Sequence, residues 1–452
     1  MYLRITVLAG LIAAILPGLT TNATSGVERD VDNLHRYLRD YEIVRIDPER
    51  AREEVRATGR FSLWLRDRTM DIVVAPVDMR APGYRAEETT ASGEARAVEP
   101  PFAATYKGIL SGLRDSQARF TVDDGIIEGL VLTPVDWYYV EPVRNFVRSA
   151  APADYIVYRK SDIRGEAFGV CGTTLAHRVD RLESRLRPRA AQVDGTVQVA
   201  QIATEADYEY VVALGDSAHA NAEILQIMNQ VSGIYETELG ISFQVAYQHT
   251  WAVASDPYSS TSASGILDEF NDCWNANFSG VACDLAHMWT GKNLDGSTVG
   301  IAWMGVICSA RSYSYGVSQR LTSVPAKYLV TAHEIGHNFG ATHPDQASPP
   351  QTSCANTIMN SSIGTGLNFC QYSKAEISEH LLETSGCLTS AAMPCDINRD
   401  GIRDVADVQA LVNIILGASA SSPAGDINHD GSVDVLDLQA LCNVILGLCG
   451  CP

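Results

Sequence analysis

Between His333 and His343 the chain reads His-Glu-Ile-Gly-His-Asn-Phe-Gly-Ala-Thr-His, three imidazoles, one carboxylate and two glycines in eleven residues. On a helix, residues four apart project from one face, so His333 and His337 offer two nitrogens to one metal ion. Glu334 reaches the same side at the distance of a metal-bound water, the position of a general base. Gly340, free to take positive φ, ends the helix and swings the chain so that His343 supplies a third nitrogen. Three neutral nitrogens leave the fourth tetrahedral position to water, as in a catalytic rather than a structural zinc site. One Zn²⁺ held this way would lower the pKa of that water to about 7 and polarise a carbonyl, while Glu334 moves the proton to the leaving amine. The expected chemistry is amide hydrolysis in protein or peptide substrates. A bare His-Glu-x-x-His on a helix surface arises by chance; the full pattern rarely does.

Two other stretches carry chemistry. Cys171 lies in Phe168-Gly-Val-Cys-Gly-Thr. A thiolate is a good zinc ligand, and a glycine-flanked loop could lay it into the fourth coordination position, expel the water and make the site latent. The alternative is an unpaired thiol with no role. The tail repeats itself 30 residues apart, Asp396-Ile-Asn-Arg-Asp-Gly returning as Asp426-Ile-Asn-His-Asp-Gly, each copy with an Asp at position 12. Oxygen ligands at positions 1, 3, 5 and 12 converge on a hard cation, with glycine giving the sharp turn. Asp396, Asn398, Asp400 and Asp407, with the Ile402 carbonyl, would hold one Ca²⁺. Asp426, Asn428, Asp430 and Asp437, with the Ser432 carbonyl, would hold a second. Acidic surface turns without metal are the plainer alternative.

Defined elements must position these groups. Ser323 is placed to cap a helix with Pro325 in its first turn, running through Tyr328, Ala332, Ile335 and Phe339 into the histidine stretch. Asp216 to Leu239 carries Ile224, Ile227, Met228, Val231 and Ile234 on one helical face. Upstream, Phe61-Ser-Leu-Trp-Leu65, Met70 to Pro76 and Ala118 to Gly125 alternate and turn like short strands, with Asp124-Gly125 as a hairpin turn. Arg178, Arg181, Arg185, Arg187 and Arg189 form a basic stretch read as an exposed, protease-sensitive connector. Its alternative, a solvated helix face, meets Pro188 at its far end.

The bulk numbers bound the rest. The 452 residues, 46% hydrophobic, suffice for two or three folded units, and the formal net charge of −20 argues against nucleic acid or an anionic membrane surface as partner. A charged start and an apolar run to Leu16, too short to span a bilayer, read as a signal peptide cut after Ala23. No later run suggests an integral membrane segment. The chain is therefore expected to be secreted, where disulfides persist. Of its eleven cysteines, six lie between 273 and 387 and four between 395 and 451, which isolates Cys171.

The histidine stretch resembles the zinc signature of metzincin metalloproteases. Those enzymes place a methionine in a turn beneath the metal, and Cys354-Ala-Asn-Thr-Ile-Met359-Asn looks like that turn, with Met359 packing under the imidazoles. Asp284 to Trp303, followed by Cys308, resembles the segment that in the reprolysin or ADAM branch forms the edge strand over the cleft. The resemblance spans roughly 95–388. One departure is Pro344 after His343, where that branch usually has Asp; Asp345 comes next. Cys171 resembles that branch's cysteine switch, as do Thr105-Tyr-Lys-Gly-Ile-Leu and Tyr139-Val-Glu-Pro-Val with Tyr155-Ile-Val-Tyr158 its propeptides. Cys273 with Cys283, Cys308 with Cys387 and Cys354 with Cys370 are the pairs adopted for the catalytic unit, although six thiols allow fifteen pairings. Residues 395–447 resemble a dockerin, which folds around two calcium ions and presents its helices to a cohesin on another protein. Such a tail could equally serve as a calcium-stabilised module without that partner.

The chain is thus expected to be multidomain: a signal peptide (1–23), a β-rich propeptide with a cysteine switch (24–190), an α/β metzincin catalytic domain with a mixed sheet and a zinc helix (191–390), and a small all-α dockerin-like domain (394–452). The function expected is a secreted, latent zinc endopeptidase. The alternative is an inert adhesion or scaffold protein that keeps the same fold.

Overall fold

A computed structural model describes residues 20–22, 31–65, 68–99, 104–123, 125–165, 167–179, 197–384, 387–391, 395–398, 403–419, 423–428, 432–446 and 451. The cut site after Ala23 and the connector from Arg181 to Arg189 lie outside them, as do Asp124, Asp400, Ile402 and Asp430.

Alternating apolar residues upstream build a nine-stranded antiparallel sheet. Its spatial order is Thr20–Asn22, Glu42–Ile46, Asp154–Arg159, Trp137–Pro142, Ile127–Leu132, Leu113–Val122, Thr105–Leu110, Arg68–Pro76 and Arg60–Leu65. The hairpin expected around Gly125 forms: Leu113–Val122 pairs with Ile127–Leu132, and Asp123 Oδ1 accepts from the backbone N–H groups of Gly125 and Ile126. One face covers an apolar cluster that includes Phe61, Phe120 and Tyr155.

The second sheet is mixed, as expected for a catalytic unit. Its five inner strands run in the order Ile241–Trp251, Val197–Ala206, Leu285–Thr290, Tyr315–Gln319, Thr298–Ala302. Only the last pair is antiparallel. Both borders are extended by upstream chain. Arg80–Thr89, itself paired with Ala95–Ala97, lies parallel to Ile241–Trp251, and Gly169–Cys171 lies parallel to Thr298–Ala302. The domain boundary expected at about residue 190 is therefore one that the packing does not follow.

The helix expected from Asp216 forms as Ser217–Leu239, with the Asp216 carboxylate accepting from His219 N–H. It is buried on nearly every side because the nine-stranded sheet covers the face turned away from the mixed sheet. The helix carrying the first two histidines is Val324–Asn338. Ser323 sits at its N-cap, but its side chain makes no capping bond; the Val324 N–H instead donates to the buried Glu141 carboxylate of the upstream sheet at 3.0 Å. Among the described residues no helix is long and apolar enough to cross a membrane.

Cys308–Cys387 and Cys354–Cys370 are disulfides, as expected, and Cys395–Cys451 closes the tail. Cys273 and Cys283 are free thiols, contrary to the pairing adopted. Each is held by its own neighbours: Asn277 faces Cys273, and the Arg311 guanidinium donates to Cys283 Sγ at 3.0 Å. In the tail, Val405–Ile415 and Val435–Ile445 pack through Leu411 and Leu441 over Ile397 and Ile427.

Candidate metal centre

Helical periodicity places His333 and His337 one turn apart on the inner face of Val324–Asn338, both fully buried. Gly340 takes φ +97°, ending the helix as expected and returning His343 to the same point. The three Nε2 atoms form a triangle with sides of 3.2, 3.1 and 3.1 Å. Their Nδ1 atoms are engaged elsewhere. His333 Nδ1 donates to the Ile358 carbonyl at 2.6 Å, His337 Nδ1 to the Ala341 carbonyl at 2.7 Å, and His343 Nδ1 to Gln346 Oε1 at 3.2 Å. Oxygen acceptors fix the proton on each Nδ1, so three Nε2 lone pairs face one another with no proton between them. A metal cation bound among them would satisfy that arrangement. Zn–N bonds of about 2.0–2.1 Å at tetrahedral angles put ligand nitrogens about 3.3–3.4 Å apart, close to the triangle found.

Burial keeps the rings neutral. It pushes His333 down to about 3, with His343 adding to the effect, and holds His337 and His343 below the usual imidazole range. Cys171 closes the set. Its Sγ lies 3.4 Å from His337 Nε2 and 3.4 Å from Glu334 Oε2, and the four ligand atoms all lie within 4.8 Å of one another. Loss of hydration, then the Glu334 carboxylate, pushes the thiol well above its ordinary value. Burial likewise holds the Glu334 carboxyl far above the usual carboxylate range, against a bond from Cys171. Glu334 Oε1 has no hydrogen-bond partner among the described residues.

The surroundings account for this placement. Gly300 on the edge strand backs Glu334, since a Cβ there would lie 2.4 Å from Oε1. Met359 packs against Gly336, on the helix between the first two histidines, where a Cβ would meet its Sδ at 2.5 Å. Asp345 takes a tethering role despite the intervening Pro344: its carboxylate accepts from Ser361 N–H at 2.9 Å and from the Ser361 hydroxyl at 2.5 Å, tying the third ligand's turn to the methionine turn. Glu376 receives Thr342 N–H and Oγ1, both at 2.8 Å. Gly300, Gly336, Thr173 and Glu376 escaped the sequence reading. Only the glycine inside the histidine pattern gave a local signal.

Of the segment expected as the edge strand, Leu285–Thr290 is a fully buried interior strand, and only Thr298–Ala302 borders the cleft. Its outer edge is taken by Gly169–Cys171, where Gly172 N–H donates to the Gly300 carbonyl at 2.8 Å. Thr173 locks the segment by exchanging hydrogen bonds between its hydroxyl and the Ala302 backbone at 2.9 and 3.2 Å. Beyond the strand's end is a cavity of about 380 Å³, lined by Met304, Gly305, Glu376, Glu379, Glu383 and the exposed Arg178.

Equivalent described residues of the two tail repeats make matching bonds. Asp407 Oδ1 accepts from Ile397 and Asn398 N–H at 2.7 and 3.2 Å, and Oδ2 from Asp404 N–H at 2.8 Å. Asp437 does the same with Ile427, Asn428 and Asp434 at 2.7, 3.0 and 2.8 Å.

Residues 196–373, which contain the inner strands, the three histidines and Met359, match the family described as Metallo-peptidase family M12, of reprolysin type. A reprolysin-like metallopeptidase domain is what this region is similar to. Among curated proteins, the chain is 24% identical over 374 residues to disintegrin and metalloproteinase domain-containing protein 10 of Bos taurus, covering 70% of this chain and 48% of the relative. Against the protein of that name from Homo sapiens it is 25% identical over 297 residues, 53% of this chain and 39% of the relative. The chain thus spans about half, or less, of the length of these relatives.

Proposed function

We propose that the protein is a secreted zinc endopeptidase, made as a latent precursor and docked to a cohesin-bearing protein through a dockerin-like tail that binds two calcium ions. The observation that carries the catalytic reading is the convergence of three proton-free Nε2 atoms beside a buried carboxylate that keeps one oxygen unpartnered. His333, His337 and His343 would hold Zn²⁺, which when bound polarises the scissile carbonyl and acidifies water. Glu334 takes a proton from the attacking water and returns it to the leaving amine. Thr298–Ala302, once its outer edge is free, aligns an extended substrate backbone by strand addition. Met359 supports the rings from below.

Latency is supported by the position of Cys171, where water would otherwise stand. The calcium reading rests on the repeated loop sequence and the matching bonds of Asp407 and Asp437. Docking is supported by apolar residues left exposed at equivalent positions of the two repeats, Val405 with Val435 and Leu416 with Leu446.

The test is casein hydrolysis by purified matured protein with and without a zinc chelator, beside Glu334→Ala. Chelation should abolish the activity, and the substitution should lower kcat/KM by about 10²–10⁴-fold. Uncleaved Cys171→Ala protein should already cut; a silent one would count against latency. If matured protein cuts nothing, the inert scaffold takes its place.

A further inference from the structure

The hydrophobic core ignores the connector. One cluster unites Leu130, Tyr139 and Ile156 of the upstream sheet with Ile227, Val231 and Tyr328 of the catalytic unit. Buried polar groups cross the same plane. Lys327 Nζ lies 3.1 Å from Glu128 Oε2, Arg119 pairs with Glu236, Tyr139 and Tyr328 share a hydroxyl contact of 2.9 Å, and Glu141 receives the Val324 N–H. Arg80–Thr89 is hydrogen-bonded into the border of the catalytic sheet. Pulling this layer away would open an apolar core and strand charges that lack water, the character of a permanent rather than a transient interface.

The segment at the metal site is held differently. Residues 167–179 lie on the catalytic unit mainly through backbone hydrogen bonds: the three-residue strand Gly169–Cys171 is inserted between Thr298–Ala302 and Ser362–Ile363. Beside it are the Thr173 bonds, the Cys171 contacts at the histidines and a bridge between Arg178 and Met304, and Val170 and Leu175 are exposed. The exposed Arg164-Gly165 stretch joins it to the upstream sheet.

We propose that the upstream layer, residues 31–165, remains a noncovalently bound subunit after the connector at 180–196 is cut, and that only the 167–179 segment has to leave the cleft. The departure of that segment rests on the protease reading; the retention of the layer does not. The experiment places a recognition sequence for a site-specific protease at residues 187–189 of the full chain, in the parent and in Cys171→Ala, and follows cleavage by size-exclusion chromatography and mass spectrometry. After cleavage both pieces should elute together at the size of the uncut chain, in 1 M salt as well, and part only in denaturant. The cut Cys171→Ala protein should hydrolyse casein with the upstream piece still bound. Separation of the pieces in native buffer, or activity that appears only in fractions freed of the upstream piece, overturns the proposal. Pieces that stay together without hydrolysing casein under any condition support the retained layer and count against the protease reading instead.

Discussion

A methyl group at position 300 decides whether Glu334 can stand where it does. Gly300 is extended edge strand, so the backbone tolerates alanine, but the added carbon would lie 2.4 Å from Oε1 and 2.8 Å from Cδ of Glu334. The carboxylate must then move, while the three imidazoles on the other side keep their Nδ1 anchors. Gly300→Ala should therefore retain zinc at the parent's stoichiometry and lose about 10²-fold or more in kcat/KM. Elemental analysis beside casein kinetics checks this, and equal loss of metal and rate would refute it. Much of the candidate site at this scale was legible, because the period of one helix and one positive-φ glycine bring three histidines together within eleven residues. The groups that fix those rings were not. The Ile358 and Ala341 carbonyls, Gln346 and Gly300 act through packing between segments whose separation in sequence carries no periodic signal.

At the level of elements, the helix carrying His333 and His337 begins on a carboxylate from another sheet. Glu141 accepts from Val324 N–H, Asn145 and Tyr158, yet burial, then the neighbouring Glu128, raises its pKa to about 7, with Lys327 opposing. A carboxyl whose folded pKa exceeds its unfolded value favours folding when protonated. Its contribution is complete below about 4.5, the ordinary value, and is lost as pH rises through about 7. Glu141→Gln should flatten the pH dependence of stability between pH 5 and 8 by about 1–3 kcal/mol, read from urea midpoints. An unchanged slope would show that other groups set it. Sequence gave the helix but assigned its cap to Ser323, since a local rule cannot see a partner 183 residues away. Strands were legible by alternation; which sheet they joined was not. Arg80–Thr89 escaped the reading and Gly169–Cys171 was taken as a glycine-flanked loop, yet both are strands of the downstream sheet, because pairing partners are set by tertiary packing rather than by local pattern.

Across the whole molecule, the tail is the part least able to fold on its own apolar surface. Its two helices have eleven residues each, below the roughly 12–15 at which isolated helices become even marginal in water. Its buried cluster is small, built on Ile397, Leu411, Ile427, Leu441 and the Cys395–Cys451 disulfide. The loop sequences are rich in Asp, whose side chains, if they converge, repel one another unless a cation lies between them. The repeat was legible because closely similar loop sequences recur at a fixed interval, and Asp407 and Asp437 make matching bonds. Calcium titration of the full chain should give about two sites, and replacing Asp426 and Asn428 by Ala should leave about one. In calcium-free buffer trypsin should cut near Arg403, and added calcium should suppress that cut in the parent protein. Equal resistance of the tail with and without calcium would mean that its disulfide and small core hold it unaided, and the cation reading would fall.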